Sequence, residues 1–218
     1  MVAIAADSLT TFGDTRLSEQ HKTLRDKILR VRNTGAAAAD DGLESMIAVC
    51  GSSAHYVVLE NTLARAEMID FSSRAAVYET VRKLHSVLKD HAFLNTKEDD
   101  DDPYESSQIT ALIANETGIY AVYSYREVFD FDRFWAAGSG RSFALGAMYA
   151  SYDRVKTAAE LARIGVLAGC EFDRNSGPPV EVYAFNLRAP GREAERIRRE
   201  PERPRRPVQR GRRRAASA

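Results

Sequence analysis

Five short stretches hold the residues on which chemistry could be built. Asp7 stands in "AADS", where an apolar run stops, and Lys27 opens "KILRV". Gly51 follows "AVC" and precedes "SSA", between a strand and a helix, where backbone N–H groups can face an oxyanion. Ser139 lies in "AGSGRSFALGAM", and Asp173 and Ser176 in "FDRNSG", near helix ends. Each also has an ordinary role. A lysine opening a strand is usually a surface residue, Gly-Ser-Gly is usually a turn, and an aspartate ending a strand usually caps the next turn. The run "KEDDDDPYESS", Lys97–Ser107, clusters carboxylates as a cation site would. It lacks the alternating spacing and the glycine of a calcium loop, so it reads as a solvated, self-repelling loop.

Elements must hold these residues in place. Val2–Ala6 is a short apolar run ending at Asp7-Ser8, the pattern of a buried strand entering a turn. Lys27–Val31 and Ser45–Cys50 are further strands. His55 to Met68 has helical spacing, as does Ser73 to Leu94, where Val77, Val81, Leu84 and Leu88 step along one face. Ile109–Ala114 and Ile119–Tyr123 flank an Asn115–Gly118 turn and form a hairpin. Val128–Ala136 is a strand, Ser139–Ser151 and Thr157–Phe172 are helices, and Val180–Leu187 closes the series as a strand. Strands, two helices, strands, two helices, strand: this order predicts an α+β fold, a four-layer sandwich of α over β over β over α. A doubly wound parallel sheet would alternate its strands and helices singly.

The 218 residues suffice for one domain with a sizeable core. No apolar run could span a bilayer and no signal segment opens the chain, so a cytoplasmic location without a membrane partner is expected. Cys50 and Cys170 form no metal-type cluster and read as buried thiols. The net charge of zero conceals two unlike parts. Ala189–Ala218 holds 11 Arg and 4 Glu, leaving 20 basic and 27 acidic residues in 1–188. With few apolar residues and several prolines, 189–218 is expected to be a disordered tail beyond a globular domain of residues 1–188. Its charge could attract nucleic acid, but no aromatic interleaves the arginines, and a solvated extension is the favoured reading.

In combination and in this order, "AIAADS", "KILRV", "AVCGSSA", "GSGRSFALGAM" and "FDRNSG" resemble the β-type subunits of the proteasome and the bacterial HslV peptidase. The sequence looks most like the small bacterial proteasome-homologue branch, over about Val2 to Leu187. The resemblance implies an N-terminal-nucleophile hydrolase fold and a threonine-type endopeptidase that acts inside a homo-oligomeric ring or stacked rings. Its substrates would be peptides or unfolded proteins, an ATP-dependent unfoldase could feed it, and no cofactor or metal is implied. The nucleophile would be the hydroxyl of an N-terminal threonine, whose own amine accepts the proton. Asp7 would orient Lys27, and Lys27 would favour the alkoxide. The Gly51 N–H would form the oxyanion hole, and Ser139, Asp173 and Ser176 would tie down the amine and a water. Thr11 would contact an extended substrate through its backbone, and Val49 would wall the pocket for the residue before the cut.

The resemblance places that threonine one strand and a tight turn ahead of the "AADS" strand, and Met1 stands inside that strand. A start upstream of Met1 is therefore expected, and a shortened, inactive ring subunit is the alternative. Thr10-Thr11 is rejected as a start, because cleavage there would remove Asp7.

Overall fold

Alternation along the strands decides which layer each side chain joins. In the computed structural model, residues 1–18, 27–34, 42–97 and 101–188 are described. They form nine strands and four helices: β1 Val2–Asp7, β2 Thr10–Phe12, β3 Thr15–Leu17, β4 Ile28–Arg32, β5 Glu44–Cys50, α1 Ser53–Leu63, α2 Arg74–His91, β6 Thr110–Asn115, β7 Gly118–Val122, β8 Val128–Phe131, α3 Arg141–Ser151, α4 Ala158–Phe172 and β9 Val180–Phe185. β4-β5-β6-β7-β8 form an antiparallel five-stranded sheet, β1 pairs antiparallel with β9, and β2 with β3 makes a separate ribbon. The helices and antiparallel sheets fit the expected α+β class. The expected tail, 189–218, lies outside the described residues.

One face of the five-stranded sheet carries Leu29, Ile47, Ala111, Ile113, Tyr120 and Val122 into a core shared with Leu59 and Leu63 of α1 and Val77, Leu84 and Leu88 of α2. The residues between them, Ile28, Met46, Ala48 and Ala114, point the other way and meet Val2 and Ile4 of β1. A period of two on strands buried on both faces gives this division. α4 packs on β1 and β9, and α3 packs on α4. No helix of the described residues is long and apolar enough to cross a membrane.

Side-chain caps fix the helix starts. Ser52, Ser73 and Thr157 accept hydrogen bonds from the backbone N–H groups of Ala54, Ala76 and Glu160. Several predicted elements come out shorter, among them α2, which ends at His91 and not Leu94, and β9, which ends at Phe185 and not Leu187; two of the differences have a clear cause in packing. The helix predicted over His55–Met68 runs Ser53–Leu63, because the chain must turn to bury Ile69 and Phe71. That turn is held by Thr34, whose N–H donates to the Ile69 carbonyl and whose hydroxyl accepts the Ile69 N–H. The strand predicted over Val128–Ala136 stops at Phe131, where the chain folds back and Trp135 stacks on Phe131 at 4.8 Å. The β2–β3 ribbon was not predicted, since each strand has only three residues; its signal in the sequence is the two-residue Gly13-Asp14 loop.

Candidate active site

Asp7 is the last residue of β1, and its carboxylate gathers three parts of the chain. Oδ1 accepts from the Lys27 ammonium at 2.8 Å, while Oδ2 accepts the backbone N–H groups of Leu9 and Gly177, both at 3.0 Å. These join the end of β1, the lead-in to β4 and the loop between α4 and β9. Bonds to a charged acceptor are shorter and stronger than neutral ones. With Lys27 29% and Asp7 16% exposed, the pair is screened less than a surface pair, yet still reached by water.

A second carboxylate is fixed from two sides. Asp173 Oδ2 accepts the hydroxyl of Ser139 at 2.6 Å and that of Ser176 at 2.7 Å. Burial pushes Asp173 up. The two hydroxyls, the Asn175 backbone and the Arg174 charge outweigh it, and the carboxyl is held below its ordinary value. Gly140 permits the approach. A Cβ there would stand 3.1 Å from Ser176 Oγ and 3.2 Å from the Cα of Gly169. Only a bare Cα lets the start of α3 come this close to α4.

Gly51 joins β5 to α1 with φ +107°, a conformation that side-chain-bearing residues rarely adopt. It lies on the wall of a cavity of about 880 Å³, together with Asp7, Lys27, Ser139, Ser176, Thr11 and Val49. Asp173 stands behind the two serines. The consecutive residues Met1–Asp7 all line this cavity, so it runs along an edge of β1 and not over one face. Leu112 and Ala114 of the five-stranded sheet bound it on one side, and Leu161 and Gly165 of α4 on the other. Among the described residues β1 pairs with β9 alone.

All eight residues singled out in the sequence thus stand in or just behind one cavity wall. Thr10, Cys50 and Asn175 also line it and were not singled out for chemistry. Burial pushes the Cys50 thiol up to about 11; the Lys27 charge pulls it down in part and Asp7 adds to the rise. Both cysteines are free, and Cys170 is likewise raised, first by burial. Both are partly buried, short of the full burial expected, and the upward shifts leave little thiolate to act as a nucleophile. Among the described residues no three His, Cys, Asp or Glu side chains come together as a metal site.

A different cluster has the residue types of a hydrolase triad. His85 of α2 bonds through Nδ1 to Ser107 Oγ at 2.9 Å and through Nε2 to Glu105 at 3.2 Å. Lys89 donates to Glu105, whose carboxyl it holds low together with His85, and Arg126 donates to the Glu105 carbonyl. Ser107 is only 3% exposed, so its hydroxyl cannot meet a substrate. The cluster straps Glu105–Ser107 to α2. It corrects the solvated-loop reading for Ser106 and Ser107, which are buried, while Glu105 stays exposed to solvent although paired; residues 98–100 lie outside the described residues.

No protein-family model and no curated protein matches the chain. Solved structures do. Thiobacillus denitrificans BPH, a bacterial proteasome homologue, in complex with epoxomicin is 36% identical with a TM-score of 0.74, over 86% of this chain and 93% of that one. Another structure of Thiobacillus denitrificans BPH is 38% identical with a TM-score of 0.74, over 85% and 92%. Eukaryotic HslV from Trypanosoma brucei, at 19% identity and a TM-score of 0.54 over 83% and 91%, shares the fold. At these identities and coverages, the chain belongs to the proteasome/HslV-type family, alongside the bacterial proteasome homologues.

Proposed function

We propose that this chain is a subunit of a threonine-type endopeptidase that hydrolyses peptide bonds inside a self-assembled, cytoplasmic ring chamber. The observation that carries the reading is the convergence of Asp7–Lys27, the Gly51 turn and the Ser139–Asp173–Ser176 cluster on one cavity. In this reading α1 with α2, the five-stranded sheet, the β1–β9 pair, and α3 with α4 are the four layers of an N-terminal-nucleophile hydrolase sandwich.

The reaction needs a hydroxyl and a free amine on one residue. An extended strand seated along the edge of β1 would carry a terminal threonine to Lys27. Its hydroxyl oxygen attacks the scissile carbonyl carbon, and its α-amine, which titrates near neutrality, takes the proton. Lys27, held by Asp7, favours the alkoxide electrostatically, and the Gly51 N–H stabilises the oxyanion that forms. The proton passes to the leaving amine as the C–N bond breaks, and water then hydrolyses the ester. Asp173 keeps Ser139 and Ser176 directed at the amine and its water. Thr11 lends backbone contacts to an extended peptide, and Val49 walls the pocket for the residue before the cut.

A second reading is an inactive ring subunit of the same family; Thr10 and Thr11 line the cavity but follow Asp7 in the chain, so neither could become the terminal nucleophile without removing it. The test is the intact mass, N-terminal residue, assembly state and peptidase activity of the protein from its native host. A terminal threonine with cleavage that epoxomicin blocks supports the peptidase. Assembled rings with no terminal threonine and no cleavage establish the inactive subunit instead.

A further inference from the structure

The Gly51 turn has a backing that the cavity wall does not include. A Cβ at Gly51 would stand 3.3 Å from Nδ1 of His55 and 3.6 Å from its Cε1, so the imidazole edge lies directly behind the glycine. His55 sits in the first turn of α1, with its N–H on the Ser52 carbonyl at 3.0 Å, and does not line the cavity. Its Nδ1 is buried and has no hydrogen-bond partner, a state that native interiors rarely tolerate. Such a nitrogen is held in place by the packing around it.

We propose that His55 is a positioning residue: its neutral ring props the Gly51 turn so that the N–H faces the cavity, and protonation of the ring releases that turn. The inference rests on the peptidase reading for its effect on rate, but not for its effect on Gly51. Three things oppose a cation here. The nitrogen that would take the proton is buried, the first turn of α1 has no acidic residue, and the helix N-terminus itself repels positive charge. Burial accordingly holds His55 below the ordinary imidazole value, with the Cys50 carbonyl opposing it in part.

No charged side chain contributes to that balance. Lys27 and Asp7 act on the neighbouring Cys50 and not on His55. On the elements packed against α1, Arg30 and Arg32 of β4 lie toward Glu44 of β5. On α2, Arg74 donates to the Val128 carbonyl, Arg82 pairs with Glu79, Lys83 reaches the Met68 sulfur, Lys89 pairs with Glu105, and Asp90 lies in the last turn. On α1 itself Glu60 is five residues on, off the face of His55. Once protonated, the ring has no counter-ion and only the neutral Cys50 carbonyl to hold it, and in this proposal that single acceptor is too weak to keep it behind Gly51.

The experiment has two arms. In the first, the assembled protein with labelled histidine and glycine is titrated by NMR from pH 8 to 5. The Gly51 amide is expected to shift in step with the His55 ring, at a midpoint below ~6.5. In the second, log(kcat/KM) for a fluorogenic peptide is followed over the same range. The terminal amine and His55 together give an acid limb approaching a slope of about two, and His55→Phe, which keeps a ring behind Gly51 but cannot titrate, lowers it to about one. His55→Asn, which loses the ring, reduces kcat about tenfold with KM near its original value. A Gly51 amide that ignores the His55 titration overturns the inference, as does an unchanged acid limb in an active His55→Phe protein. If the protein cleaves nothing, the proposed function fails and the NMR arm alone decides the role of His55.

Discussion

The molecule holds two polar constellations, and they differ in access more than in residue type. Ser107–His85–Glu105 places a hydroxyl, an imidazole and a carboxylate in hydrogen-bond sequence, yet the serine is buried and Arg126 and Lys89 fill the remaining positions. Asp7–Lys27 and Ser139–Asp173–Ser176 contain no such triad, but they surround an 880 Å³ space bounded by an edge of β1. A catalytic centre needs room for a substrate beside polar groups that keep some capacity to bond. A satisfied cluster in a filled interior contributes order and stability instead. Residue types would have favoured the strap; the cavity favours the other set.

The largest test of that contrast is Lys27→Ala in a protein carrying the terminal threonine. Peptide cleavage is expected to fall by at least about 10²–10³-fold with the oligomer intact by native mass spectrometry. Retained cleavage would remove the cavity site from the chemistry. Gly51→Ala comes next, since its φ of +107° and the ring 3.3 Å away strain any side chain. It should cost about 1–3 kcal/mol in denaturant unfolding and lower kcat more than it raises KM. Ser107→Ala tests the opposite limb: about 1–3 kcal/mol of stability lost, with kcat unchanged. A large loss of kcat there would erase the distinction between the two regions.

Smaller effects refine the comparison. The folded pKa of Asp173 is lowered, so its contribution to stability is fully present above about pH 4 and is lost as pH falls through the folded value. The stability difference between the native protein and Asp173→Asn should therefore be flat above pH 4 and shrink below it, as read from urea midpoints across pH. With a pKa of about 11, Cys50 is thiolate at roughly one part in a thousand at pH 8. It should resist alkylation in the folded protein even though its residue lines the cavity; rapid labelling of Cys50, seen by peptide mapping, would show that the wall opens.

The sequence by itself determined the local half of this protein. The unbroken apolar run Met46–Cys50 of β5 and the alternating burial of Thr110–Ile113 at the start of β6 follow from side chains that switch faces every residue, and caps such as Ser73 and Thr157 mark where helices begin. These signals act within about ten residues, so they survive without knowledge of the fold. It also held the chemical types, Asp7, Lys27, Gly51, Ser139, Asp173 and Ser176, though their joint meaning came from their order along the chain. Only the tertiary structure decided who meets whom. β1 pairs with β9 across nearly the whole domain, Asp7 receives an N–H from Gly177, and Ser139 reaches Asp173 because Gly140 and Gly169 let two helices touch. It shortened α1 so that Ile69 and Phe71 could be buried, formed the β2–β3 ribbon, and set His55 behind Gly51. These outcomes depend on which surfaces compete for burial once the layers close, and that competition is global, whereas periodicity, caps and turn residues are local.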